Sequence, residues 1–165
     1  MPRILIIIIL FSLSITACKT NQEAGSRTIY LMRHAEKMTD SKDPDLSPTG
    51  VRRAQSLNKR FNSIDIDHIY STDYKRTIQT VQPIATEHGI DIKTYDPRQL
   101  DSFSTSLKNE ISGDVIVSGH SNTTPALVNL LLGRDEFPQL DESEYGDLYV
   151  VSIYTDSTTV ELREF

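Results

Sequence analysis

The stretch Thr28-Ile29-Tyr30-Leu31-Met32-Arg33-His34-Ala35-Glu36 decides the fold, because an apolar run ends there in an arginine and a histidine. Such a short run is typical of a buried strand. A second run at residues 115–117 leads in the same way into residues 119–123, Gly-His-Ser-Asn-Thr, and a third at residues 68–71 precedes Arg76. Ligands bind at the carboxyl ends of strands in open α/β sheets. We therefore expect two histidines and two arginines to meet at one sheet edge and form an anion site.

The remaining pattern alternates strands with helices. Strands are predicted at residues 28–33, 68–71, 90–95, 114–118, 148–154 and 158–162. Helices are predicted at residues 48–61, 74–88, 100–111 and 125–132, with Ser47 as the cap of the first. We expect Pro83 to kink or interrupt the second helix, and Arg52 and Arg53 to lie on a solvated face of the first. The alternation indicates an α/β fold whose final hairpin makes a largely parallel sheet mixed.

Length and charge restrict the class of protein and the class of partner. The chain has 165 residues, which suits one domain of ordinary size, and its formal net charge is −6. An acidic surface argues against nucleic acid as the main partner. It leaves a phosphorylated small molecule possible as substrate, because a site can be locally basic within an acidic protein.

The amino terminus is predicted to be a targeting segment that is not part of the folded domain. Residues 1–17 combine a short positive start with an apolar core too short to span a bilayer, which is typical of a secretory signal; a single-pass anchor is the alternative. Ile15-Thr16-Ala17-Cys18 resembles the bacterial lipoprotein cleavage box, which implies lipid on Cys18, the sole cysteine of the chain. Residues 18–27 read as a polar tether and 28–165 as the folded domain. We expect an extracytoplasmic protein held to a bacterial membrane by its lipid.

Four segments in order resemble the histidine phosphatase superfamily, also called the phosphoglycerate mutase-like family. They are residues 31–36 (Leu-Met-Arg-His-Ala-Glu), 46–50 (Leu-Ser-Pro-Thr-Gly), 71–80 (Ser-Thr-Asp-Tyr-Lys-Arg-Thr-Ile-Gln-Thr) and 119–123 (Gly-His-Ser-Asn-Thr). The resemblance implies a three-layer α/β/α sandwich with a mostly parallel mixed sheet. It also implies phosphoryl transfer through a phosphohistidine, with neither a metal nor another cofactor.

The predicted site residues suit that chemistry. A phosphate monoester carries about −1.5 to −2 charge near neutral pH, which repels a nucleophile. Arg33 and Arg76 would each hold phosphoryl oxygens through a planar, permanently charged guanidinium and stabilise the transition state. His34 would attack as a neutral imidazole, and His120 would add a third donor. Backbone N–H groups from Ser121 onward, at the start of a helix, would help to bind the phosphoryl group.

The sequence does not identify a single residue as the proton donor for the leaving group. Larger members of the family often have a glutamate after the third strand, whereas this chain has none there. Asp101 is the candidate general acid, and it is equally suited to cap a helix over residues 103–111. Asp96 is a weaker alternative, and a good leaving group such as phosphohistidine would need no acid. A second departure is Ala35, where many members have glycine.

Three alternatives stay open at this point. The chain is also compatible with a phosphohistidine protein phosphatase, although its signal segment disfavours a cytoplasmic role. A lipoprotein that keeps the fold only to bind anions is the second alternative. A metal site built from His34, Glu36 and His120 is the third, which the neighbouring arginines make unfavourable. Specificity is expected in residues 35–46, 96–112 and 134–147, and the sequence predicts no oligomeric state.

Overall fold

A computed structural model describes residues 26–165, so the predicted signal segment, Cys18 and most of the tether lie outside the described residues. Within that range the chain forms six strands and four helices. They are β1 (Arg27–Arg33), α1 (Pro48–Phe61), β2 (His68–Ser71), α2 (Lys75–His88), β3 (Ile92–Thr94), α3 (Leu100–Asn109), β4 (Val115–Gly119), α4 (Thr123–Leu132), β5 (Asp147–Ile153) and β6 (Thr158–Glu164). None of these helices is long and apolar enough to span a bilayer.

All six strands form one sheet in the order β3-β2-β4-β1-β5-β6. The four strands from β3 to β1 are parallel, whereas β5 is antiparallel to β1 and β6 to β5. The predicted mixed, mostly parallel sheet is therefore confirmed. β4 lies between β1 and β2, and all five of its residues are buried, as its continuous apolar run predicts.

Helices cover both faces of the sheet and give the predicted three layers. One core cluster attaches α1 and α2 to the sheet through buried side chains that include Leu57, Phe61, Val81 and Ile84. A second cluster does the same for α3 and α4 through Leu107, Leu127 and Leu131. Successive residues of β1 divide between the two, since Met32 belongs to the first cluster and Leu31 to the second.

The Ser-Pro-Thr-Gly segment at residues 47–50 caps and begins α1. Ser47 is the N-cap, as predicted, and its Oγ accepts a hydrogen bond from the Gly50 amide at 3.1 Å. A Cβ on Gly50 would lie 2.1 Å from the backbone oxygen of Glu36, so only glycine permits this approach. The helix end thus packs directly against the backbone that follows His34.

Several predicted boundaries differ from the structure. Pro83 does not interrupt α2, which is continuous from Lys75 to His88 because Val81, Ile84 and Ala85 on either side of Pro83 are buried against the sheet. Helix α3 begins at Leu100 with Gln99 as its N-cap, so Asp101 lies in the first turn and is not the cap. Arg27, predicted to end the tether, is the first residue of β1.

Candidate active site

The carboxyl ends of three strands meet at one edge of the sheet. Arg33 at the end of β1 is the register partner of Gly119 at the end of β4, and Ser71 of β2 pairs with Ser118. The amide of His34 donates to the carbonyl of Gly119 at 2.9 Å. A cavity of about 470 Å³ opens at this edge. Its lining consists of His34, Lys37, Tyr74, Arg76, Pro97, Arg98, His120, Ser121, Asn122, Thr123, Gln139 and Glu142.

His34 is held in one tautomer. Its Nδ1 lies 2.8 Å from the carbonyl oxygen of Ala35, which only accepts hydrogen bonds, so Nδ1 carries the proton and Nε2 the lone pair. Burial lowers the pKa of His34 to about 3, and the positive charges of Arg76 and Arg33 act in the same direction. The imidazole is therefore neutral at physiological pH. It is also only 3% exposed, so His34 fills interior volume although it stands at the sheet edge.

His120 faces His34 across the cavity, with ring centroids 5.6 Å apart. Arg76 Nη2, which only donates, lies 3.4 Å from Nδ1 of His120, so Nδ1 accepts and the Nε2–H donates to Thr72 Oγ1 at 3.0 Å. Burial, followed by the charges of Arg76 and Arg33, lowers the pKa of His120 to about 4. The side chain is thus neutral, with an unprotonated Nδ1 beside the arginine.

Arg33 is buried, 2% exposed, and is not part of the cavity lining. Its Nη1 donates to the carbonyls of Asp141 at 2.8 Å and Glu144 at 2.7 Å, and its Nη2 to the carboxylate of Glu142 at 3.0 Å. Its guanidinium also lies 4.3 Å from the ring centroid of Tyr145. Arg33 therefore lies beside the two histidines, but residues 140–145 bind both of its terminal nitrogens.

The two arginines retain unused donors. The Nε atoms of Arg33 and Arg76 are both buried without a hydrogen-bond partner among residues 26–165. Besides its contact with His120, the Arg76 side chain lies 3.5 Å from Asp43 and 4.5 Å from the ring centroid of Tyr74. Lys37 and Arg98 add two more cations to the lining. A buried N–H that no protein group accepts favours an anionic ligand. The edge is therefore suited to bind an anion such as a phosphoryl group.

Neither predicted general acid reaches this cavity. Asp101 is exposed and lines a neighbouring cavity of about 680 Å³ instead, together with α4 residues such as Asn129 and Leu130. Asp96 pairs with Arg98 at 2.9 Å, and hydrogen bonds from Arg98 lower its pKa to about 2. Within residues 26–165 the carboxylate that lines the His34 cavity is that of Glu142. A hydrogen bond from Ser121 lowers the pKa of Glu142, so it too is ionised at neutral pH.

Glu36 does not join the histidines. Arg53 binds its carboxylate through Nε at 3.0 Å and Nη2 at 2.7 Å, so this arginine lies partly buried and not on a solvated face as predicted. The three-ligand metal site of His34, Glu36 and His120 is therefore not assembled, and no three His, Cys, Asp or Glu side chains among residues 26–165 are placed to share a metal ion. Ala35 fits without strain, since its methyl group packs with Leu46 and Ala54.

Sequence reasoning missed Glu142, Thr72 and Tyr145. The sequence predicts that residues 134–147 contribute to specificity, and their acidic composition is the one signal that a carboxylate could reach the site. Thr72 supports His120 and is held in turn by Thr77, whose Oγ1 lies 2.9 Å from the Oγ1 of Thr72.

We predict that His34 does not titrate between pH 5 and 8. Its pKa of about 3 keeps the ring neutral throughout this range, whereas an imidazole in the unfolded chain protonates near pH 6.5. Its contribution to the free energy of unfolding is therefore complete above pH 6.5 and decreases as the pH falls below that value. The measurement is the chemical shift of the His34 ring proton against pH, assigned by comparison with His34→Gln. A midpoint near 6.5 would show that the ring is solvated and not buried.

Comparison with known protein families identifies part of the chain. Residues 29–98 match the histidine phosphatase superfamily, branch 1. The chain is similar to "Probable phosphoglycerate mutase GpmB" of Proteus mirabilis (strain HI4320), with 39% identity over 77 residues that cover 42% of this chain and 35% of that protein. The protein of the same name from Salmonella choleraesuis (strain SC-B67) is 35% identical over the same length. The chain thus spans about a third of the curated relatives it matches.

Solved structures extend the likeness to the whole fold. The protein histidine phosphatase SixA complexed with tungstate superposes with a TM-score of 0.69 at 15% identity, covering 83% of this chain and 96% of that chain. The alpha-ribazole phosphatase from Shigella flexneri also gives 0.69, at 12% identity, covering 84% and 96%. A phosphoglycerate mutase from Bacillus anthracis str. Sterne gives 0.62 at 16% identity, covering 83% and 92%. At these identities the likeness shows the fold.

Proposed function

We propose that the chain is a histidine phosphatase that hydrolyses a phosphomonoester, without a metal ion, through a phosphohistidine at His34. The observation that carries the proposal is the state of His34. Its Nδ1–H is fixed on the Ala35 carbonyl, which leaves the Nε2 lone pair of a neutral ring in a cavity lined by Arg76 and His120. A neutral nitrogen nucleophile beside permanently charged donors is the combination that attack on a phosphoryl group requires.

In the first step, Nε2 of His34 attacks phosphorus while the bond from phosphorus to the leaving oxygen breaks. Arg76 stabilises the charge that spreads over the equatorial oxygens, because its Nε and terminal nitrogens have few protein partners. A bound dianion would also favour protonation of His120, since opposite charge raises a histidine pKa. His120 would then donate from Nδ1, the atom that faces Arg76.

In the second step, water attacks the phosphorus of phosphohistidine on the side opposite Nε2, and the bond from nitrogen to phosphorus breaks. One proton of the water passes to the departing phosphate or to solvent, and His34 regains its neutral ring. The start of α4 supplies Asn122 and Thr123 to the cavity, where the positive end of the helix dipole stabilises the phosphoryl oxygens.

A second candidate substrate is phosphohistidine itself. Among residues 26–165, the carboxylate in the His34 cavity is that of Glu142, which is ionised, and Asp101 and Asp96 do not line the cavity. The part of the site that the structure describes therefore offers no neutral carboxylic acid to protonate a poor leaving alkoxide. An imidazole leaving group departs from phosphohistidine more readily, and the superposed SixA structure is that of a protein histidine phosphatase.

The experiment is a rate comparison on soluble residues 26–165, with chelator present throughout. Substrates would be alkyl phosphates, aryl phosphates of decreasing phenol pKa, and a phosphohistidine peptide. We expect kcat/KM to increase steeply as the leaving group becomes more acidic, with the phosphohistidine peptide among the fast substrates. No turnover of any member would favour the non-enzymatic, anion-binding alternative. Activity only after addition of zinc or magnesium would contradict the metal-independent mechanism.

We also propose that the enzyme is lipid-anchored outside the cytoplasm of a bacterium. The support is the sequence before the domain: an apolar signal core, a cleavage-box-like segment ending in Cys18, and polar residues up to Arg27, where β1 begins. A lipid anchor resists extraction by salt, because buried acyl chains contribute ~0.8 kcal/mol per CH₂ independently of charge. The full-length protein should stay with membranes in high salt, whereas Cys18→Ser should not carry lipid. Soluble wild-type protein that retains Met1 would refute the anchor.

A further inference from the structure

The carboxylate of Glu142 bridges the two histidine motifs. Its Oε2 accepts from Arg33 Nη2 at 3.0 Å, and its Oε1 accepts from Ser121 Oγ at 2.7 Å. Arg33 precedes His34 and Ser121 follows His120, so one anion joins the neighbours of both site histidines. The Glu142 side chain is 72% exposed, although the Arg33 side chain that it binds is 2% exposed. Glu142 therefore reaches a buried cation from the open side of the site.

The segment that carries Glu142 is attached to the same two residues. We call residues 140–145 the strap. Its backbone carbonyls at Asp141 and Glu144 accept from Arg33 Nη1, and the amide of Leu140 donates to the carbonyl of Ser121 at 3.0 Å. Both terminal nitrogens of Arg33 are thus occupied by the strap. In this arrangement Arg33 offers a phosphoryl group only its Nε–H, which has no partner within residues 26–165.

We propose that the Glu142 carboxylate is an internal competitor that the substrate's phosphoryl group must displace from Arg33 and Ser121. The inference rests on the proposed function, in which the start of α4 binds the phosphoryl group, and it adds Arg33 as a ligand that becomes available when Glu142 is displaced. A carboxylate and a phosphoryl dianion cannot share one guanidinium edge, because like charges a few ångströms apart repel strongly in a partly buried site. The hydrogen bond from Ser121 keeps Glu142 ionised, so the competition operates at neutral pH.

Competition by a carboxylate selects ligands by their charge. A terminal phosphoryl group carries about −1.5 to −2 charge and three acceptor oxygens, whereas Glu142 offers one charge and two oxygens. A dianion therefore gains enough from Arg33 and Ser121 to displace Glu142. Phosphodiesters and carboxylates carry a single charge and gain little over the residue that they replace. Glu142 would thus act as a specificity residue that restricts the site to terminal phosphoryl groups.

The test compares Glu142→Gln with wild type in anion binding and in turnover. Glutamine keeps the shape of the side chain but removes its charge. We expect dissociation constants for inorganic phosphate and tungstate to fall at least about fivefold, and those for the monoanions dimethyl phosphate and acetate to fall by a larger factor. KM should decrease, while kcat stays equal or decreases because phosphate leaves more slowly. Glu136→Gln is the matched control, since it removes the same charge from an exposed pair with Arg134.

A merely structural role would give a different pattern. If Glu142 only positions the strap, Glu142→Gln should weaken anion binding or leave it unchanged, and either result with an unaltered melting temperature overturns the proposal. Binding of phosphate is measured by calorimetry without turnover. A protein that binds tungstate more tightly after Glu142→Gln yet hydrolyses no substrate would refute the proposed function and support this inference.

Discussion

His34→Asn should reduce kcat by about 10⁴-fold or more while the protein stays folded. The variant removes the nucleophile and thereby the covalent route, and loss of a nucleophile in enzymes of this kind leaves only binding and electrostatic contributions. Asparagine is preferred to alanine because His34 is 3% exposed, and alanine would leave a cavity. Its side-chain amide can donate to the Ala35 carbonyl in place of Nδ1. The measurements are steady-state rates with an aryl phosphate and the melting temperature of each protein.

His68→Asn is the control for this experiment. His68 begins β2, at the sheet edge opposite the site, so its substitution should leave kcat within a few-fold of wild type. A His34→Asn protein with wild-type melting temperature and more than a tenth of wild-type kcat would show that His34 is not the nucleophile.

Arg76→Lys should reduce kcat/KM by about 10²- to 10³-fold. Lysine keeps the positive charge but loses the planar set of donors, and loss of one transition-state donor costs ~2.7–4 kcal/mol. Arg76 is the sharper choice of the two arginines because it lines the cavity, whereas Arg33 is bound by the strap. The loss should appear mainly in kcat, since the equatorial oxygens gain charge only in the transition state.

The same substitution at an exposed position provides the control. Arg60→Lys, in the last turn of α1, changes the same side-chain chemistry outside the site and should have no measurable effect on rate. If Arg76→Lys raised KM and left kcat unchanged, Arg76 would stabilise the bound substrate and the transition state equally.

The sheet edge could be predicted because it follows from local pattern and topology. A buried apolar run before Arg33 and another before Gly119 predict two central strands, and parallel strands place their ends together. The structure pairs those two residues directly. His34, His120 and Arg76 therefore lie around one cavity as their positions in the sequence indicate.

The surroundings of Arg33 could not be predicted in the same way. The strap contains neither a helix nor a strand, so periodicity gives no orientation for Glu142. Its position is set by contacts with Arg33 and Ser121, which are distant in sequence and which only the assembled sheet brings near. The partly buried pair of Arg53 and Glu36 has the same origin, since a helical pattern identifies a polar face but not the carboxylate that covers it.

The position of Asp101 could not be predicted from the sequence either. Asp101 stood at a plausible distance along the chain, but the start of α3 at Leu100 directs it to the neighbouring cavity lined by α4 residues. Successive side chains of a helix point about 100° apart, so the face on which a single residue lies decides which cavity it lines. Residues whose function depends on direction are therefore harder to predict than residues at strand ends.

The identity of the residue that is phosphorylated during turnover decides whether His34 is the nucleophile. Rapid mixing with a labelled aryl phosphate, an alkaline quench and peptide mapping should place an acid-labile, base-stable label on the peptide that contains His34, at Nε2. The label should be absent from His34→Asn. In any variant that hydrolyses the phosphohistidine more slowly, the label should be present at higher occupancy. A label on His120 or on a serine would show that His34 is not the nucleophile.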